Sequence, residues 1–432
     1  MNEAQDPEGQ AIQAERSHVY KRTLVVVVCS QILGGLGLAA GVTVAALLAE
    51  DILDSTSLSG LPSALFTLGS AGAALIVGRM SQRLGRRAGL SLGYLAGAIG
   101  GLGIVIASIL ANPILLFASF FVYGSGISTN LQARYAGTDL APADRRGQAV
   151  STVLVATTFG AVAGPNLVEV MGGVADSFDI PELAGPFLLS IAAYGLATVV
   201  LMTFLRPDPL LFARDNALRT STGSGPATTA ATSRLQRRGI ALGASVMIIT
   251  QIVMVGIMTM TPIHMRDHGH GLSATGLVIA IHVAGMFLPS PLTGYLVDRV
   301  GRIPLMIAAG ITLPASGLMA AMAPTESVPI LAIALGLLGL GWNFGLVSGT
   351  ALITDSTPLE TRASTQGSVD VGIALSGAGG GVMSGVVVGS TSYTILSLIG
   401  GGLALALIPI VVMAHSTQAA VRATEGSVNA SD

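Results

Sequence analysis

The chain has 432 residues, 51% of them hydrophobic and only 10% charged, with a net charge of -2. A water-soluble domain of this length cannot cover its surface with so few charges, so the chain reads as a polytopic membrane protein. The single cysteine, Cys29, excludes an intrachain disulfide and a cysteine metal cluster, and the lack of strand alternation excludes an outer-membrane barrel.

In chain order, the polar and acidic first sixteen residues lack the basic start of a cleaved signal peptide, so the first apolar helix is expected to remain in the protein. Apolar segments long enough to span a bilayer are predicted at 24–49, 60–78, 88–110, 112–133, 148–170 and 184–205. After a gap they continue at 239–262, 273–293, 304–323, 328–352, 365–388 and 391–413. The expected fold is all-α: a tail over 1–22, six helices over 23–205, a linker over 206–238, six helices over 239–414, and a tail over 415–432. Ser, Thr, Gly and Ala dominate the linker, which reads as a flexible connector.

With both ends cytoplasmic, every one of the 21 lysines and arginines except Arg266 falls on the cytoplasmic side or at its border. Glu50, Asp51, Asp54, Asp176, Asp179 and Glu182 fall on the other side. This asymmetry is the positive-inside pattern, and it sets the expected orientation.

Several polar groups stand inside the predicted spans. Gln31 and Gln251 hold equivalent places in the first and seventh spans, where each can face a central cavity or bond a neighbouring helix. The fourth span ends with Asn130, Gln132 and Arg134, the arginine placed to snorkel, and Asp139 beyond it is placed to pair with Arg145. In the fifth span Gly160, Gly164 and Pro165 permit close approach and a bend, and the Asn166 amide is positioned to satisfy a freed backbone group. Trp342 and Asn343 in the tenth span offer stacking and a hydrogen bond. Asp370 in the eleventh is a candidate proton carrier, because a carboxylate at that depth must be paired, hydrated or protonated.

The seventh and eighth spans carry M-x-x-x-M at Met254 and Met258 and H-x-x-x-M at His282 and Met286. Residues at i and i+4 share a helix face, so each pair can point one way. At 1.5 Å per residue, the four groups would descend from about 6 Å to about 20 Å below the outer end. Thioether and imidazole suit a soft ion such as Cu(I), but methionine also fills irregular packing gaps. An ionisable His282 at this depth reads as a functional group, either metal ligand or proton switch.

GRMSQRLGRR at 78–87 and GYLVDRVGRI at 294–303 share G-x-x-x-x-R-x-G-R, at corresponding places in the two halves. Such internal repetition is a signature of secondary transporters. The chain resembles the major facilitator superfamily over roughly 20–414, and its loop motif matches Gly78, Arg83, Gly85, Arg86 and Arg87. The family's aspartate is Gln82 here, which implies a weaker first latch or a burden shifted to the second copy, Gly294, Asp298, Arg299, Gly301 and Arg302.

Gly160, Gly164 and Pro165 resemble the exporter signature of drug–proton antiporters. The Met/His pattern resembles that of the superfamily's bacterial copper importers. The resemblance implies two six-helix bundles working by alternating access, a transporter rather than an enzyme. It would be monomeric in the lipid bilayer, without cofactor or nucleic acid, with protons and a small-molecule or metal-ion substrate as partners. Export of hydrophobic or cationic molecules leads, and copper uptake is the alternative. With Cys29→Ser as background, cysteines replacing Arg83 and Arg299 are expected to react with an impermeant maleimide from the same side of the membrane; reaction from opposite sides would break the two-bundle reading.

Overall fold

The structure, a computed structural model, describes residues 7–53, 61–220 and 230–414. Asp54, residues 221–229 of the connector, residues 1–6 and residues 415–432 lie outside the described residues. Fifteen α-helices follow one another among the described residues. They begin with α1 (Pro7–Leu53), α2 (Leu61–Leu84), α3 (Arg86–Ile109), α4 (Pro113–Ala136), α5 (Arg146–Asn166), α6 (Val168–Asp176), α7 (Gly185–Phe204) and α8 (Pro209–Thr220). The second half holds α9 (Ala230–Asp267), α10 (Leu272–Phe287), α11 (Ser290–Arg299), α12 (Arg302–Met322), α13 (Val328–Ser356), α14 (Arg362–Ser390) and α15 (Tyr393–Leu405). Among the described residues, twelve segments are long and apolar enough to cross a membrane, so the chain is a multi-pass, all-α membrane protein.

Helix ends follow local chemistry. Asn112 caps α4 by accepting from Leu115 N at 3.0 Å, with Pro113 in the first turn. Two predicted spans are interrupted. The fifth stops at Asn166, whose amide donates to Val162 O at 2.6 Å, and resumes as the short α6. The eighth breaks between α10 and α11 at Leu288 and Pro289, because Pro289 and Pro291 withhold amide hydrogens from the helical ladder.

The connector also holds more structure than its composition suggests. Asp208 Oδ1 accepts from Leu210 N at 3.0 Å and Leu211 N at 3.2 Å, which starts α8. Its Oδ2 accepts from Arg87 N at 2.7 Å, so one carboxylate caps both α8 and α3. Gly85 precedes α3 at φ +92°, and a side chain there would strike Asp208.

Two compact units result. One comprises the described residues within 1–142, 152–225 and 358–374; the other comprises those within 143–151, 226–357 and 375–432. The first turns of α14 therefore pack within the first unit, and the first turns of α5 within the second. In the first unit, a Cβ added at Gly78 would lie 2.8 Å from Gly367 Cα, so α2 meets α14 backbone to backbone. Gln82 Oε1 accepts from Ala363 N at 2.7 Å and Ser364 N at 3.2 Å, capping α14. Gln82 Nε2 donates to Leu359 O at 3.2 Å and Glu360 O at 2.7 Å.

The second unit repeats the arrangement. A Cβ at Gly294 would lie 2.5 Å from Gly147 O, and Asp298 accepts from Gly147 N at 2.7 Å and Gln148 N at 2.8 Å, capping α5. Gly301 precedes α12 at φ +114°, as Gly85 precedes α3. Arg302 bonds Asp355 Oδ2 at 2.9 Å and Ala143 O at 2.8 Å, and Arg146 pairs with the other oxygen of Asp355.

The missing acid at position 82 therefore does not empty the first clasp. An amide forgoes a charge–dipole gain of about 0.3–1 kcal/mol, but it donates two hydrogen bonds worth roughly 0.5–1.5 kcal/mol each, which a carboxylate cannot make. Gln82→Glu is accordingly expected to loosen the start of α14. Amide hydrogen exchange at Ala363 and Ser364 should accelerate by about tenfold for the ~1.4 kcal/mol net loss; slower exchange would show that the added charge outweighs the two donated bonds.

Candidate functional site

Among the arginines buried in the first unit, Arg86 and Arg134 each pair with a buried carboxylate. Arg86 contacts Asp139 through Nε at 2.7 Å and Nη2 at 3.2 Å, and Nη2 also meets Gln366 Oε1. Asp139 thus pairs with Arg86 rather than Arg145, because the turn after α4 points it toward the start of α3. Arg134 is 0% exposed, so it does not snorkel. Its Nη2 bonds Asp370 Oδ1 at 2.6 Å and Tyr135 Oη at 2.8 Å, while Tyr135 Oη donates to the same Asp370 oxygen at 3.2 Å. The Tyr135 ring lies 4.1 Å from the Arg134 guanidinium and 5.9 Å from that of Arg86. Asp370 Oδ2 is buried with no hydrogen-bond partner among the described residues. One aromatic ring thereby bridges two ion pairs, and α14 supplies a member to each network through Gln366 and Asp370.

Farther along the same unit is an uncharged cluster. Gln31 Nε2 lies 2.8 Å from Asn130 O, 3.1 Å from Asn130 Oδ1 and 2.8 Å from Thr157 Oγ1, joining α1, α4 and α5. Gln31 Oε1 is buried with no partner among the described residues. Three buried tyrosines, Tyr94, Tyr123 and Tyr194, line up against Gly34, Gly41 and Gly37 of α1, where any side chain would collide with their rings. Tyr194 lies 5.6 Å from Tyr94 and 5.5 Å from Tyr123, ring centre to ring centre. Tyr123 Oη also meets Gly37 O at 2.5 Å. Sequence reasoning missed this stack, although the glycine spacing in SQILGGLGLAAG was its visible trace.

The second unit has a counterpart. Gln251 Oε1 accepts from Trp342 Nε1 at 2.7 Å, joining α9 to α13 as Gln31 joins α1 to α4. Phe287 lies edge-on to Trp342 at 5.9 Å. Asn343 donates to Met286 O and Ser290 Oγ, both at 2.7 Å, and so spans the break between α10 and α11.

His282 is fully buried. Its Nδ1 is 2.9 Å from Leu335 O on α13, and Nε2 has no partner among the described residues. The α10 backbone around Gly285 lies against Gly336 and Gly339 of α13, with only slight contact to α9. The Met254 and Met258 helix and the His282 and Met286 helix are therefore not a tightly packed pair. No group of three or more His, Cys, Asp and Glu side chains suited to a metal occurs among the described residues.

Arg83 and Arg299 are exposed; Arg299 folds onto its own Tyr295 ring at 5.7 Å. Gly160 rests on the α1 backbone at Ile32 and Leu36, and Gly164 is buried near the end of α5, which Pro165 precedes by one residue.

The Major Facilitator Superfamily model matches residues 27–281 and 240–429. Over 399 residues the chain is 59% identical to the uncharacterized MFS-type transporter YdeG of Bacillus subtilis (strain 168), covering 92% of this chain and 93% of that one. It is 31% identical over 406 residues to the riboflavin transporter RfnT of Brucella anthropi, covering 93% and 98%. Its fold is similar to those of the human organic anion transporter MFSD10 (TM-score 0.73, 17% identity, 91% and 99% covered) and the proton:xylose symporter XylE (TM-score 0.71, 18% identity, 91% and 95% covered). With the twelve spans, the repeated clasps and these matches, the chain belongs to the major facilitator superfamily, as a secondary transporter of small molecules.

Proposed function

We propose that the protein is a proton-coupled antiporter that exports an amphiphilic aromatic molecule, neutral or cationic, by alternating access. In this reading it acts in the cell membrane with both termini and the arginine-rich turns on the cytoplasmic side. The observation that carries it is Asp370, 3% exposed, with one oxygen held by Arg134 and Tyr135 and the other without a partner among the described residues. Protonating Asp370 while α14 stays docked leaves Arg134 buried without its counter-charge, at a cost of roughly 3–5 kcal/mol. Proton uptake and docking of residues 358–374 therefore compete, which ties a proton to a conformational step.

The substrate class follows from what the polar clusters lack. The two buried carboxylates of the described residues, Asp139 and Asp370, are each engaged by an arginine. Recognition then falls to amides, hydroxyls and rings, which each unit supplies by itself: Gln31, Asn130 and Thr157 in the first, and separately Gln251 and Trp342 in the second. Such groups suit a planar molecule with polar edges, and a cation would find the Trp342 face. The relative named as a riboflavin transporter handles a molecule of this kind. Export rests on the Gly160, Gly164 and Pro165 pattern.

Copper uptake through Met254, Met258, His282 and Met286 is the second reading, favoured by the buried His282 Nε2, which has no partner among the described residues. The packing of α10 along α13 supports it less than it supports a structural place for that face.

In proteoliposomes, an imposed proton gradient is expected to drive riboflavin or an aromatic dye. Asp370→Asn should lower gradient-driven flux at least tenfold while substrate exchange without a gradient persists. Equal loss of exchange would remove Asp370 from coupling. Copper uptake that disappears in both His282→Ala and Met254→Ala, with dye flux intact, would replace this reading with the second.

A further inference from the structure

A groove of about 660 Å³ runs between α1 and α7, outside both polar clusters. It is lined by His18, Lys21, Arg22, Val25, Val26 and Cys29 of α1, and by Val200 and Phe204 of α7. The α1 residues follow i, i+3, i+4, i+7, i+8, i+11, which is one stripe of a helix and spans about 16 Å at 1.5 Å per residue. The groove is polarised along that stripe. His18, Lys21 and Arg22 stand exposed at one end, and Val25, Val26 and Cys29 continue as an apolar floor. Phe204, 55% exposed, forms the opposite wall, and the further cation Arg206 follows it by two residues. No acidic side chain is among the lining residues.

We propose that this groove binds an anionic phospholipid, with its phosphate on Lys21 and Arg22 and one acyl chain along Val25, Val26, Cys29 and Phe204. Charge complementarity commits the site to this occupant. Adjacent cations at the border of an apolar span lie at headgroup level, and basic recesses between membrane helices favour anionic headgroups. A zwitterionic lipid offers no net charge to two cations that lack an acidic neighbour in the groove. Free phosphate would leave the apolar floor and the exposed ring of Phe204 unfilled. The site is separate from the proposed transport pathway, since none of its lining residues belongs to either polar cluster.

Cys29 supplies a reporter, being the chain's single cysteine and exposed. The full chain is placed in nanodiscs of phosphatidylcholine, with or without phosphatidylglycerol, and the rate of Cys29 alkylation by a lipid-soluble maleimide is followed. Phosphatidylglycerol is expected to slow alkylation several-fold, and inorganic phosphate is expected to leave the rate unchanged. Lys21→Gln with Arg22→Gln should weaken lipid binding on the order of 30-fold, and so abolish the protection. Both side chains are exposed, so the variant is expected to fold; an alkylation rate in pure phosphatidylcholine equal to that of the parent chain verifies this. Native mass spectrometry should show phosphatidylglycerol retained by the parent chain and lost from the variant. An alkylation rate indifferent to phosphatidylglycerol, protection that survives in the folded double variant, or equal protection by inorganic phosphate would each overturn the assignment.

Discussion

A charge carried into a membrane protein's interior has to bring its counter-charge with it, and the first unit is organised by that constraint. Arg86 and Arg134 enter from α3 and α4, Asp139 from the turn after α4, and Asp370 from α14. Tyr135 stands between the two guanidinium groups and donates to Asp370, so the pairs form one network. Loss of one member would strand a buried charge at roughly 3–5 kcal/mol, a large part of the roughly 5–15 kcal/mol that holds a typical domain folded. The docking of α14, the close approach of Gly78 and Gly367, and the helix cap made by Gln82 all require the segment to arrive where that network places it.

The two halves repeat one backbone solution with different chemistry. A glycine meets a partner helix, a side chain four residues on caps that helix, and a left-handed glycine three residues later turns the chain into the next helix. In the first copy the cap is a neutral amide that accepts and donates. In the second it is the carboxylate of Asp298, 3% exposed and 3.7 Å from Arg302, and beside it Arg302 and Arg146 pair with Asp355 through side chains 17%, 18% and 28% exposed. Partly exposed charges are screened by salt, whereas the buried pairs behind Gln82 are shielded from it. The pseudo-symmetry is thus geometric, and the electrostatic responses of the halves differ.

The spans, the repeat and the membrane class were legible because hydropathy and glycine register are local properties of the chain. Partnerships across long sequence separations were not. Asp139 has Arg145 six residues away, yet it reaches Arg86, 53 residues earlier, because the fold brings the start of α3 beneath the end of α4. The depth of His282 was readable from its position, but the direction of its ring depends on α13, which only packing reveals. At position 82, where the family's motif carries Asp, charge alone implies a weaker latch, but the Gln amide also donates to Leu359 O and Glu360 O, partners that only packing reveals. Similarly, the linker's composition concealed α8, whose start depends on the single side chain of Asp208. Gln31 and Gln251 hold matching positions, and each joins the first span of its half to the fourth.

The tyrosine stack carries a mechanical consequence. Three rings from α3, α4 and α7 are seated in the glycine notches of α1 like pegs, and each would have to climb over backbone for that helix to slide or roll. Close-packed interiors resist such graded deformation. Helices α1, α3, α4 and α7 should consequently move as a single stiff block. Compliance is then left to places where the helical ladder is already interrupted, such as the Leu288–Pro289 joint and the end of α5.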